Sequence, residues 1–304
     1  MSLLNLRVRS GERVVHAHRW GLALKNTHTH DVPGGVIRAS AVAGVFYPAD
    51  PGELARTIAG MIRGEDVVGS PGVRGIIAPH AGYLYSGPTA ARAYGRLARG
   101  AYDIVVVVAP SHREYFEGVS VYDGEAYRTP LGTVPVDRDL RDALIQAAPF
   151  VRSSAEGHGE EHAVEVHLPF LQSALGPFSF LPVVIGHQTP ETCFALGEAL
   201  GGLLRHRRAL IVASTDLSHF HSDSEAREID AVVIGDVRGF DPRALMSHLT
   251  EGSAEACGGG PVVAVMTALK SLGATRVEVM EYATSGDVTG DRRSVVGYLS
   301  AVAF

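Results

Sequence analysis

Three histidines in this chain each follow an apolar run of the kind that forms a buried strand. His80 ends Ile76-Ile77-Ala78-Pro79-His80, and His112 ends Val107-Val108-Ala109-Pro110-Ser111-His112. His219 ends the longer run Ile211-Val212-Ala213-Ser214-Thr215-Asp216-Leu217-Ser218-His219. Imidazole is the commonest side-chain ligand for iron, zinc and copper near neutral pH. Two or three such ligands that leave positions open make a catalytic metal site rather than a structural one. Any one of the three, taken alone, reads first as a polar loop residue. All three in the same topological position argue for one site, provided that their strands are neighbours.

A second group of donors is Glu161, His162, Glu165 and His167. The stretch Glu161 to Leu175 reads as a helix, with Glu161 and Glu165 on one face and His162 three residues before Glu165. A histidine beside a carboxylate is suited to general acid/base work, because the carboxylate sets its tautomer and pKa. The same spacing equally fits an acidic helix start, since Glu160 and Glu161 suit the positive end of the helix dipole. Cys257 precedes Gly258-Gly259-Gly260-Pro261 and a helix-like run. A thiol at a helix N-terminus has a lowered pKa, and free amides there can hold an anion. A glycine-rich turn before a helix is also often only a turn. Tyr83 and Tyr85 fall in the segment after His80, where a phenol could hydrogen-bond a bound oxygen ligand.

The elements that must position these residues alternate along the chain. Asp103 to Ala109 is a continuous apolar run, as in a strand covered on both faces. Ala209 to Ala213 is another, and Gly75 to Ala78 a shorter one. Helical patterns fall at Pro88–Arg99, Asp137–Ala148, Glu191–His206, 223–238, 241–250 and 261–272, and two strands near 277–282 and 294–302 close the chain. Mixed strand types with covering helices predict one layered α/β/α domain with a mixed central sheet. In open α/β sheets, ligands bind outside the carboxyl ends of strands, where all three histidines fall. Residues 1–36 show no sustained period and end in Asp31-Val32-Pro33-Gly34-Gly35. They are expected to form a poorly ordered extension, with His28 and His30 as solvated side chains. A chain starting at Ile37 should then keep its thermal midpoint.

The formal charge of −6 argues against general affinity for nucleic acid or anionic membrane. Two cysteines, Cys193 and Cys257, make no disulfide framework and fit a reducing cytoplasm. Cys193, inside a helical run, reads as packing. No apolar run approaches the length that spans a bilayer.

The strings Ala43-Gly44-Val45-Phe46-Tyr47-Pro48, Ala78-Pro79-His80-Ala81-Gly82-Tyr83-Leu84-Tyr85-Ser86-Gly87, Pro110-Ser111-His112, Glu161-His162-Ala163-Val164-Glu165-Val166-His167-Leu168-Pro169, Ser214-Thr215-Asp216-Leu217-Ser218-His219 and Cys257-Gly258 resemble, in content and order, those of Memo proteins. The resemblance runs from about Ile37 to the C-terminus. It implies a fold similar to class III extradiol dioxygenases, with His80, His112 and His219 as metal ligands. Asp216, Cys257 and Tyr83 would line the pocket, and His162 with Glu165 would do the acid/base work. Extradiol dioxygenases hold Fe(II) with two histidines and one carboxylate. This chain offers His219 where they place the carboxylate, a departure that speaks against catechol cleavage. The leading expectation is an oxygen-dependent or redox enzyme holding Fe(II), with copper as an alternative because of Cys257. An adaptor that uses the pocket for a peptide or anion is the second reading, and a zinc hydrolase the third. The resemblance also implies a pathway link to AMMECR1-like and radical-SAM proteins.

Overall fold

The computed structural model describes residues 35–62, 70 and 72–304. The chain divides into two units, Met1–Asp31 and Val32–Phe304. The expectation for residues 1–36 therefore lies outside the described residues, apart from Gly35 and Val36. Val36 already belongs to the folded unit through its backbone, since its carbonyl accepts from the Glu125 amide at 2.8 Å.

The described elements follow in the order β1 (Ile37–Arg38), α1 (Pro51–Met61), β2 (Gly75–Ala78), α2 (Tyr83–Tyr94), β3 (Ile104–Pro110), β4 (Val119–Val121), β5 (Ala126–Thr129), β6 (Gly132–Pro135), α3 (Arg138–Ala147) and β7 (Val151–Ser153). A 3-10 turn, Glu165–His167, leads into α4 (Leu168–Leu175), β8 (Ser179–Ile185), α5 (Pro190–Leu204), β9 (Ala209–Ser214) and β10 (His219–His221). Then come α6 (Asp223–Arg238), α7 (Pro242–Glu251), α8 (Gly259–Ser271), β11 (Val277–Thr284), α9 (Ser285–Thr289) and β12 (Val295–Ala303). Helix starts carry their usual signals. Asp137 caps α3 by accepting from the Leu140 amide at 2.9 Å, and Asp241 caps α7.

Among these residues the main sheet has nine strands, in the order β10-β12-β2-β9-β3-β8-β4-β7, with β11 on the other side of β12. The strands β2, β9, β3 and β8 run parallel, while β12 pairs antiparallel with β2, β10 and β11. A mixed sheet is therefore the finding. Strand pleating sends alternate side chains to opposite faces, and β3 shows the result. Ile104, Val106 and Val108 pack in one core with α3, α5, α6, α7 and α8. Val105, Val107 and Ala109 pack in the other with α1, α2 and α4. The domain is thus layered α/β/α, and each fully buried Val or Ile contributes roughly 1.5–3 kcal/mol of transfer free energy. A small second sheet, β1-β5-β6, lies outside the main one.

Two boundaries differ from the sequence reading in ways that matter for the site. The segment at Glu161 and His162 is not helical, and α4 begins only at Leu168, with Pro169 in its first turn. Helix α2 begins at Tyr83 rather than Pro88, because the Tyr83 amide is tied to the Phe46 carbonyl at 2.8 Å. No helix among the described residues is long and apolar enough to cross a membrane.

Candidate metal centre

The strands that precede the three histidines are neighbours, with β9 between β2 and β3. Ala78 stands opposite Ser214, and Val108 opposite Ala213. The chain therefore leaves the sheet at adjacent points, and each exit is fixed by hydrogen bonds. The His80 amide donates to Asp216 Oδ1 at 2.8 Å, and the Thr215 amide to the Ala78 carbonyl at 3.0 Å.

Each of two rings is held by one nitrogen. Ser214 Oγ donates to the Ala163 carbonyl at 2.7 Å, an atom that can only accept, and so its contact with His80 Nδ1 at 2.7 Å must be one it accepts. His80 is then protonated on Nδ1, so its Nε2 lone pair accepts from the Cys257 thiol, 3.2 Å away. His112 is set the same way. Its Nδ1 meets Glu161 Oε1 at 3.0 Å, and its amide donates to the other carboxylate oxygen. Burial pushes the Glu161 carboxyl up, but bonds from His112 and the Ala163 amide outweigh that and bring it down to about 2. The ionised carboxylate is only an acceptor, so His112 also carries its proton on Nδ1.

Cys257 arrives from the other direction, on the turn before α8. Its amide donates to the Asp216 carbonyl at 3.2 Å, and its Sγ accepts from the Asp216 amide at 3.3 Å. Ligand atoms of His80, His112 and Cys257 lie within 4.8 Å of one another. Burial, reinforced by Asp216, pushes the thiol pKa up, contrary to the lowered value expected of a helix start. The helix amides are not free for an anion either. Gly258 donates to Thr215 Oγ1 at 3.0 Å and Gly260 to Gln188 Oε1 at 2.8 Å.

The other expected residues fall into place around this set. His219 begins β10 at a register shift and lies outside the converging donors; with Cys257 and Gln188 it lines a cavity of about 460 Å³. Asp216 is buried beside His80, and desolvation raises its carboxyl to about 7. His162 packs near both of these rings, with centroids 5.0 Å from His112 and 5.4 Å from His80. Its pKa falls to about 4, chiefly through burial, so the ring is neutral.

Glu165 is not the partner of His162. It is fully buried, forms an ion pair with Arg38 at 2.6 Å, and accepts from the Ala41 and Val42 amides and the Tyr47 hydroxyl. Those bonds use its acceptor capacity and pin the loop that places Phe46 against the His162 ring, 4.9 Å away. The carboxylate nearest His162 is Glu161, 3.3 Å from Nδ1. Tyr83 is likewise committed elsewhere, donating to the Val166 carbonyl at 2.7 Å inside the core. His167 is buried, 2.8 Å from the Tyr94 hydroxyl.

Sequence reading missed the orienting roles of Ser214 and Glu161. Helical spacing hid the second, yet Pro169 was a usable signal, since proline favours the first turn and so places the helix start after Glu161. No local signal marks Ser214, whose partners are 51 and 134 residues away.

The Memo-like protein family model matches residues 38–302. A MEMO1 family protein of Methanothermobacter thermautotrophicus is 40% identical over 273 residues, covering 86% of this chain and 99% of that one. One from Methanopyrus kandleri is 37% identical over 277 residues, covering 87% and 98%. Among solved structures, the uncharacterized protein JW3007 of Escherichia coli K12 superposes with a TM-score of 0.44 at 15% identity, covering 75% of this chain and 99% of that one.

Proposed function

Because the chain belongs to the Memo-like family, we propose that it holds a redox-active transition metal, iron foremost and copper second, on His80, His112 and Cys257, and acts there on a small-molecule substrate. The observation that carries this reading is the paired tautomer lock. Ser214 and Glu161 each occupy an Nδ1, which leaves an unprotonated Nε2 on each ring, and the two histidines form a single cluster with one thiol. Metal-binding histidines characteristically donate their second nitrogen to such outer partners, which fix ring orientation and raise basicity. A bound ion would supply open coordination positions and a one-electron redox couple.

The protein's own groups do the rest. Thr215 Oγ1 and the Asp216 amide hold the cysteine turn, and Asp216 Oδ1 holds the His80 backbone. His162, whose Nδ1 makes no hydrogen bond among the described residues, is suited to carry a proton to or from substrate. The thiol in the donor set distinguishes this centre from the two-histidine, one-carboxylate triad of ring-cleaving oxygenases. Catechol cleavage is accordingly not proposed.

Metal analysis of protein purified without oxygen tests the reading. Iron or copper is expected, and Fe(II)-loaded protein should give an iron–nitrosyl signal with nitric oxide. His162→Ala should keep that signal yet lose roughly 10²–10⁴-fold in turnover once a substrate is found. Zinc alone would favour a hydrolase. Metal-free protein that binds an acidic peptide would replace the enzyme reading with an adaptor.

A further inference from the structure

We propose that Arg38 is a positioning residue for the candidate metal centre, acting through Glu161; the proposal rests on the metal reading above. Arg38 lies on β1, more than a hundred residues from the segment it holds. The residue is 6% exposed, and all three guanidinium nitrogens donate, Nη1 also reaching the Ala39 carbonyl at 3.3 Å. Nε donates to the His158 carbonyl, Nη2 to the Glu161 carbonyl, and Nη1 to Glu165 at 2.6 Å. The Tyr127 ring lies under it, 4.5 Å away at the centroid.

The two carbonyls bracket the stretch that carries the Glu161 carboxylate and leads to His162. This stretch is neither helix nor strand, so no ladder of backbone hydrogen bonds fixes its course. The planar fork of a guanidinium holds several acceptors in fixed relative directions, which a lysine ammonium cannot do. Glu165 is the counter-charge and is itself clamped by the Ala41 and Val42 amides. The chain of contacts therefore runs from β1 through Arg38 to the Glu161 backbone, and from the Glu161 carboxylate to His112 Nδ1. With Arg38 removed, the segment can relax, the carboxylate can leave His112, and nothing then keeps the ring proton on Nδ1.

Ring-nitrogen NMR of the metal-free protein and metal affinity together test this. The parent should show the His112 proton on Nδ1. In Arg38→Met the proton should spread over both nitrogens, and copper or iron affinity should fall roughly 10–100-fold, the usual cost of losing an outer partner. Glu161→Gln gives the comparison. If Arg38 acts through Glu161, the double variant should lose no more than about threefold beyond the worse single one, because residues in one network are not additive. Should Arg38→Met fail to fold, Arg38→Met with Glu165→Gln removes the orphaned buried charge and serves instead. A folded variant with the His112 proton still on Nδ1 and unchanged affinity overturns the proposal. So do losses that multiply in the double variant, which would mean that Arg38 acts on the fold alone. A parent that binds no metal defeats the metal reading, and the His112 tautomer then decides the role of Arg38 by itself.

Discussion

His80→Ala and Cys257→Ser should each lose more than about 100-fold in iron and copper affinity, exceeding the roughly 10–100-fold that removing an outer-shell partner costs. The reason is geometric. His80 Nε2 and Cys257 Sγ are 3.2 Å apart with no other acceptor or donor competing for the Nε2 lone pair, and His112 offers a third donor within 4.8 Å. His219→Ala is the informative contrast. By its position after a strand it belongs with the other two histidines, but the structure sets it outside the converging donors and on the wall of the neighbouring cavity. Affinity should therefore drop less than about 10-fold in His219→Ala, within the range of a second-layer effect. Copper-loaded parent should also show a thiolate-to-metal absorption band that Cys257→Ser lacks. Equilibrium competition against a chelator of known affinity measures all of these. If His219→Ala empties the site while Cys257→Ser stays loaded, the third ligand has been assigned to the wrong residue.

That contrast marks the limit of what spacing reveals. The three strand-end histidines were legible because a strand buried on both faces reads as an unbroken apolar run, and β2, β3 and β9 all do. Their convergence depended on strand order, which no local pattern encodes; β9 lies between β2 and β3 although it comes more than ninety residues after β3. Helices α3, α5, α6, α7 and α8 matched their sequence limits within a few residues, since their apolar faces repeat and their first turns carry Asp, Thr, Ser, Pro or Gly signals. Glu165 was misread because its partners, Arg38 and Tyr47, lie 127 and 118 residues away. A helical period drawn over Glu161–His167 made a carboxylate pinned to the N-terminal loop look like a neighbour of His162. Cys257 was legible as a soft donor near a helix start. Its raised thiol pKa was not, because that follows from burial against Asp216.

Gly258→Ala should be among the most damaging single substitutions in the domain. Gly258 has an ordinary negative φ of −107°, so conformation does not require glycine there. Space does. A Cβ would lie 2.0 Å from the Ser214 carbonyl oxygen and 2.9 Å from Thr215 Cβ, at the end of central strand β9. Neither atom can swing aside as a long side chain would, because Ser214 is in the sheet and Thr215 Oγ1 already accepts from the Gly258 amide at 3.0 Å. The turn that carries Cys257 must then move away from Asp216, which breaks the Cys257 amide bond and the Sγ contact together. Overpacking of this kind costs about 1–3 kcal/mol and sometimes more, and the clash with the Ser214 backbone puts Gly258 at the upper end. A loss of about 3 kcal/mol corresponds to roughly 6–12 °C in thermal midpoint for a domain of this size class. Gly202→Ala is the control. It lies in α5 with nothing within 4 Å of the added methyl group, and alanine there should be neutral or stabilise by up to about 1 kcal/mol. Thermal melts of the metal-free proteins separate the two. Gly258→Ala that melts with the parent, and still binds metal with parental affinity, would show that the cysteine turn is not seated against β9 as the structure places it.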